Sequence, residues 1–390
     1  MVSSQSDIHA VIKQETASVS ANGMYRVRRV IESAQGPTIR LNGKEVINFC
    51  SNDYLGFANH PQIVKAFKEG VDKYGVGSGA SQLVCGYTSA HRLLEEKLAA
   101  FTNRDRAVIF SSGYMANQAI INSLLNKSDM VFGDRLNHAS MVDAALISRA
   151  SFKRFQHADP VSLESILKNA GEVKKMVVTD AVFSMDGDIA PLDKYVEICE
   201  RQNAWLVVDD AHGFGVLGNK GAGTLEQYSL SSKQVPLLMA TFGKALGTFG
   251  AFVAGDEDII EYLIQTARTL IYSTAPPPAV ALATISALDL MQEENWRRKK
   301  LEELINYFRK GAKKAGLPVN DSETAIQPLI IGDANKATKA CEKLLQKGIY
   351  VQAIRPPTVP KGTSRFRITL TAAHEQEQVD RLLAALQELF

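Results

Sequence analysis

The stretch Trp205-Leu-Val-Val-Asp-Asp-Ala-His-Gly213 sets the reading of this chain. Its apolar run shows no polar alternation, which fits a strand covered on both faces, as in a parallel sheet. The run then stops on two acids and a histidine. Ligands of open parallel sheets gather at the carboxyl ends of the strands, so a carboxylate and an imidazole at such an end are placed for chemistry. Acids at strand ends also serve as helix caps or solvated turns, and this stretch alone leaves both readings open.

Working outward, similar apolar runs occupy residues 106–110, 130–132, 176–179, 237–241 and 251–254, with helical patterns at 91–101, 115–125, 140–149 and 191–202 between them. Strand and helix alternation of this kind predicts a three-layer α/β/α domain around a mostly parallel sheet. Pro276-Pro-Pro278 cannot continue a helix and marks a boundary. Beyond it the patterns give helices to residue 291 and over 297–315, then a strand at 326–331, a helix at 336–346 and strands near 350–354 and 365–369. The expected organisation is an N-terminal arm with a small antiparallel piece around 38–49 (residues 1–55), a large α/β domain (56–278) and a smaller C-terminal α+β domain (279–390).

Composition removes several classes. With 44 Lys plus Arg against 42 Asp plus Glu in 390 residues, the net charge of +2 supplies no general attraction to nucleic acid. The basic stretch 297–314 carries Leu301, Leu304, Ile305 and Phe308 at helical spacing and reads as the solvated side of an amphipathic helix. Cys50, Cys85, Cys199 and Cys341 are scattered, with neither a CxxC pair nor a zinc spacing, so a reducing compartment is expected and no metal. The first 25 residues resemble neither a secretory signal nor a transit peptide, and the greasiest stretch falls short of the ~20 apolar residues a bilayer span needs. The expectation is a cytoplasmic protein without membrane or nucleic-acid partners. The run Gly75-Val-Gly-Ser-Gly79 follows a helical pattern and no strand, which fails the context a dinucleotide loop requires.

Three further strand ends carry reactive groups. Residues 237–241 lead into Phe242-Gly-Lys244, a lysine in a small-residue turn that could do Schiff-base chemistry or be a surface charge. Ser111-Ser-Gly-Tyr114 precedes a helix, where free N–H groups could hold a phosphate or form an ordinary cap. Asn137-His138 follows the 130–132 run; a lone histidine can be structural. Together, a phosphate loop, a ring, an Asp with a His, and a Lys form the set that pyridoxal 5′-phosphate requires.

The motifs Asn48-Phe-Cys-Ser-Asn-Asp-Tyr-Leu-Gly56, Gly77-Ser-Gly79, Gly86-Tyr87, Asn137-His-Ala-Ser140, Val182-Phe-Ser-Met-Asp-Gly-Asp188, Val208-Asp-Asp-Ala-His-Gly213 and Thr241-Phe-Gly-Lys244 span nearly the whole chain. In them the sequence resembles the α-oxoamine synthases, fold-type I pyridoxal-phosphate transferases that join an amino acid to an acyl thioester with loss of carbon dioxide. Residues 267–274, 354–360 and 365–374 narrow the resemblance to members using L-alanine with pimeloyl-CoA or pimeloyl-acyl carrier protein; glycine with acetyl-CoA is the alternative. The resemblance implies that Lys244 is the Schiff-base lysine, Asp209 partners the pyridine nitrogen, His212 meets the ring's phenolic oxygen and His138 stacks on the ring. It further implies that Gly113, Tyr114 and Thr241 hold the phosphate, that Ser184 lies beside the cofactor, and that Asn52 lies near it. Arg367 would grip the amino-acid carboxylate, Arg26 and Thr358 the acyl substrate. A homodimer is implied too, with Ser273 and Thr274 reaching the neighbour's phosphate.

Overall fold

The computed structural model describes residues 7–21 and 24–390. In chain order the elements are α1 (Ile8–Ala21), β1 (Thr38–Leu41), β2 (Lys44–Asn48), α2 (Pro61–Tyr74), a π-helical turn (Gln82–Gly86), α3 (Ser89–Phe101), β3 (Arg106–Phe110), α4 (Gly113–Leu124), β4 (Met130–Asp134), α5 (Ala139–Ile147), β5 (Ser151–Phe155), α6 (Pro160–Lys168), β6 (Lys175–Asp180), α7 (Leu192–Arg201), β7 (Ala204–Asp209) and α8 (Thr224–Gln227). There follow β8 (Leu237–Thr241), β9 (Ala251–Gly255), α9 (Glu257–Thr266), α10 (Arg268–Ile271), α11 (Pro278–Glu293), α12 (Trp296–Lys314), β10 (Ile326–Gly332), α13 (Ala334–Gln346), β11 (Ile349–Tyr350), β12 (Gln352–Ile354), β13 (Ser364–Thr369) and α14 (Gln376–Gln387). No helix among the described residues is long and apolar enough to cross a membrane.

The chain forms two compact units. The larger, Asn52–Glu303 with Thr371–Ala373, is built on a seven-stranded sheet in the order β3-β9-β8-β7-β6-β4-β5. Every pairing from β8 to β5 is parallel, and only β9 runs against both neighbours. Neighbouring residues on one strand feed opposite faces, as the two-residue repeat of a strand dictates. Val131, Met176, Val178, Val207, Leu237 and Met239 pack under α4, α5, α9 and α10. Phe132, Val177, Leu206, Val208 and Leu238 pack under α6 and α7. Two apolar faces explain why the strand sequences are continuously greasy.

Two features differ from the sequence reading. The edge strand β5 carries Lys153 and Arg154 and was not anticipated, because it pairs on one side only, with β4, and keeps much of its length exposed. The expected division at residue 278 is also displaced. Helix α11 opens with Pro278 at its first turn, where a missing N–H costs nothing. It then packs on α2, where Gly70 lies so near that a Cβ there would sit 2.6 Å from Ala279 Cα. This helix therefore stays with the large unit.

The second unit gathers residues up to Ser51, Leu304–Leu370 and His374–Phe390. The anticipated antiparallel piece is the β1–β2 hairpin, and β11 completes it by pairing parallel to β2, Ile349 opposite Ile47. An isolated two-stranded hairpin is marginal in water, so this third strand from the far end of the chain explains why the N-terminal segment groups with the C-terminal region. A second sheet, β10-β13-β12, is antiparallel throughout.

Candidate active site

The large unit brings eight of the expected residues to the carboxyl ends of its strands. Asp209 closes β7 and is 5% exposed; in the β6–β7 register it stands beside Asp180 at the end of β6. Asn117 on α4 donates to Asp209 Oδ2 at 2.8 Å, and the Ala211 N–H donates to Oδ1 at 3.1 Å. The same Asn117 amide donates to Ser140 Oγ at 2.9 Å, and Ser140 Oγ pairs with His138 Nδ1 at 2.7 Å. A hydrogen-bonded path thus links Asp209 to His138.

His138 caps α5, its Nδ1 accepting from the Ser140 N–H, while its own N–H donates to Asp180 Oδ2 at 2.7 Å. Crowding by protein atoms and the charge of Lys244 push its pKa below the usual imidazole range, with Asp209 opposing. For Asp180, burial and the Asp209 charge push the carboxyl well upward, again with Lys244 opposing. Lys244, His138, Asp180 and Asp209 therefore share one electrostatic neighbourhood.

Lys244 sits half-buried in the turn after β8. The turn is fixed by Phe242 N–H to Gly250 O at 2.8 Å, Thr248 N–H to Phe242 O at 2.9 Å and Gly247 N–H to Lys244 O at 2.9 Å. Gly247 has φ +63°, and a Cβ there would lie 2.4 Å from Ala58 N, so only glycine fits. The adjoining Asp210 is structural: both its oxygens accept from Thr224, from N–H and Oγ1 at 2.6 Å each, and burial pushes its pKa up to about 7.

Gly113 and Tyr114 open α4 behind Ser112, whose hydroxyl accepts from Met115 N–H at 3.3 Å. Their own N–H groups lie in the first turn, where no intrahelical acceptor exists. Opposite them, Thr241 Oγ1 is buried without a hydrogen-bond partner among the described residues. A Cβ on Gly113 would come within 2.8 Å of Thr241 Cγ2, so the helix start and strand end form a cradle that only a glycine leaves open. An orphaned hydroxyl beside the positive end of a helix suits a phosphate.

His212 is bonded through Nδ1 to the Tyr54 hydroxyl at 2.6 Å, and that hydroxyl also reaches Asn52 Oδ1 at 3.4 Å. Ser184 lies half-buried in the turn bracketed by the Val182–Ile189 bridge. Sequence reasoning missed Asn117, Tyr54 and Asp180. Asn117 had a weak signal, a buried-side amide in an otherwise largely apolar α4 that also carries Gln118 and Asn122, and Tyr54 lay inside a recognised motif.

Three expected residues lie in the smaller unit. Arg367 on β13 is 8% exposed, opposite Pro328 and Gln352, with Nη1 donating to Thr369 Oγ1 at 3.1 Å. Arg26 and Thr358 are exposed. Their segments meet, since Arg355 Nη2 donates to Tyr25 O at 3.1 Å and Thr358 N–H to Arg355 O at 3.1 Å. The thiols of Cys50 and Cys199 are pushed up by burial, which suits packing and not nucleophilic attack.

With this geometry in view, comparison with known proteins is informative. Residues 44–386 match the family model "Aminotransferase class I and II". The 8-amino-7-oxononanoate synthase of Thioalkalivibrio sulfidiphilus is 55% identical over 376 residues, 96% of each chain, and that of Nitrosococcus oceani is 55% identical over 94% of this chain and 97% of its own. Among solved structures, a serine palmitoyltransferase from S. paucimobilis with a bound PLP–myriocin adduct superposes with TM-score 0.93 at 29% identity, covering 98% of both chains. The 8-amino-7-oxononanoate synthase of Francisella tularensis gives TM-score 0.78 at 33% identity over 88% of this chain and 97% of that one. The chain belongs to the class I and II aminotransferases, with the fold-type I architecture, and within them to the family of the 8-amino-7-oxononanoate synthases. The unpartnered Thr241 hydroxyl, the α4 start, Asp209 and Lys244 fit pyridoxal 5′-phosphate as its cofactor.

Proposed function

We propose that this protein condenses L-alanine with a pimeloyl thioester, carried on CoA or acyl carrier protein, giving 8-amino-7-oxononanoate, carbon dioxide and the free thiol, a step of biotin synthesis. One observation carries the chemical class: Lys244, Asp209, His138 and an unpartnered Thr241 hydroxyl lie at the strand ends of one sheet. The relatives at 50–55% identity, all named for this reaction, support the choice of substrates.

Bound here, pyridoxal phosphate supplies an aldehyde for amines and a ring that accepts the electrons left at the α-carbon. Lys244 would hold that aldehyde, and its Nζ would serve as the general base for the α-proton of alanine. Asp209, oriented by its bonds from Asn117 and Ala211, would pair with the ring nitrogen. The bond from Tyr54 to Nδ1 orients the His212 ring, which would hydrogen-bond the phenolic oxygen. His138, braced by Ser140, would stack on the ring, and Ser184 would lie beside it. Gly113, Tyr114 and Thr241 take the phosphate. Arg367 grips the alanine carboxylate with its planar fork and so orients the α-carbon, while Asn52, Arg26 and Thr358 contact the substrates.

This reading includes a cytoplasmic homodimer. Val76, Leu83, Val84 and Tyr272 are exposed on two segments joined by the Ser81–Thr274 bridge and the bond from Ala275 N–H to Ala80 O, and a second copy covering them would bring Ser273 and Thr274 towards its own phosphate site.

The test is a comparison of initial rates with alanine plus pimeloyl-CoA, glycine plus acetyl-CoA and serine plus palmitoyl-CoA, on wild type and Lys244→Ala. The first pair should be turned over fastest and Lys244→Ala should be inactive with every pair. Preference for another pair refutes the substrate assignment. Wild-type turnover by Lys244→Ala refutes the mechanism.

A further inference from the structure

We propose that His157 is a positioning residue, a brace that ties the His138 turn to the Ser184 turn through Asp134 and Asp188. It follows β5 and is none of the residues assigned above. Its Nδ1 lies 3.0 Å from Asp134 Oδ1 and its Nε2 2.9 Å from Asp188 Oδ2, so one ring engages two carboxylates. The ring also packs at right angles to Phe183, 4.4 Å between centroids at 89°.

Each carboxylate belongs to a segment that carries a site residue. Asp134 ends β4, is fully buried, and accepts from Leu136 N–H and Ala158 N–H at 2.8 Å each, which fixes the turn leading into His138. Asp188 closes the turn that carries Ser184: its carbonyl accepts from Phe183 N–H at 3.0 Å, and Gly187 N–H donates to Phe183 O at 2.8 Å. The second Asp188 oxygen, Oδ1, is buried without a partner among the described residues, so His157 is the group that compensates this carboxylate.

Both ring nitrogens must donate to engage two acids, which requires the imidazolium form. The surroundings agree. Burial would lower the pKa, but the hydrogen bonds and charges of Asp134 and Asp188 outweigh it and push it up to about 10. The brace is therefore charged near neutral pH, and the two turns are held by ionic bonds of which Asp134 is wholly shielded from water.

The meaning of these turns rests on the cofactor reading above, so the experiment separates the two. Amide exchange is followed in the full-length protein, and pyridoxal phosphate affinity is measured by fluorescence quenching, for wild type, His157→Gln and Asp188→Asn. A glutamine reaches one carboxylate at most, and the asparagine keeps an acceptor for Nε2 while removing the charge. In His157→Gln, exchange should rise about tenfold in both the 135–138 and 184–188 turns, with β8 and β9 unchanged. The cofactor dissociation constant should rise about tenfold as His138 and Ser184 lose their fixed positions. Asp188→Asn should move the same two turns by less, and carries the test if the first variant does not fold. Unchanged exchange at the Ser184 turn, or acceleration spread evenly over the sheet, overturns the brace. A wild type that binds no pyridoxal phosphate overturns the cofactor reading instead, and the exchange data still judge the brace.

Discussion

At the residue scale, the Thr241 hydroxyl is the most direct probe of the phosphate cradle. It is buried without a partner among the described residues, which costs the fold about 1–3 kcal/mol unless a ligand oxygen completes it. Thr241→Val keeps the shape and removes the hydroxyl. The protein without cofactor should be as stable as wild type or slightly more so, while pyridoxal phosphate should bind about ten- to a hundredfold more weakly, the worth of one bond to a charged group. Thermal melts with and without cofactor check both halves, and unchanged affinity would remove Thr241 from the phosphate site. The groups at the strand ends were legible in the sequence because each terminates an apolar run, and strand ends are where ligands lie. The roles of Asn117 and Tyr54 were not, although both residues left a trace there, because their work depends on partners 92 and 158 residues away.

Elements carry a second lesson, in α3. Glu95 lies on its buried face and accepts from Tyr87 OH at 2.6 Å and Ile109 N–H at 3.0 Å, tying the helix to β3 and to the segment after the π-helical turn. Burial pushes its pKa from 4.5 to about 7. The folded state then holds a proton that the unfolded chain has lost, so this group's contribution is largest below pH 4.5 and declines as pH rises to about 7. Asp210 acts in the same direction over a similar window, from 3.8 to about 7. Glu95→Gln, which keeps hydrogen-bonding capacity and removes the titration, should leave stability at pH 5 nearly unchanged and raise it at pH 8 by about 1–3 kcal/mol. Urea titrations at the two pH values measure this, and a variant with the wild-type pH slope would show that Glu95 does not titrate there. Helices α3, α4, α5 and α7 were readable from periodicity, and the doubly covered strands from apolar runs without alternation. The edge strand β5 was not, since Lys153 and Arg154 face solvent and only the partner β4 makes the segment a strand.

For the whole molecule, contacts that no local pattern announces decide the grouping. Three strands drawn from residues 38–48 and 349–350 make one small sheet, and small residues of α2 and α11 let two helices approach closely, so the division by sequence pattern and the division by contact differ. The same reasoning bears on assembly. Val76 and Val84 are 83% and 77% exposed and Tyr272 71%, an apolar surface that a stable monomer seldom presents on linked segments. Sedimentation should give twice the 42.6 kDa chain mass. Val84→Glu adds a charge at an exposed position, so the monomer's own fold should survive, yet burying that charge against a second copy is unfavourable. The variant should sediment as a monomer with an unchanged melting profile at low concentration and should lose activity, because Ser273 and Thr274 would no longer reach the neighbouring phosphate. A fully active Val84→Glu monomer would show that each chain completes its own site.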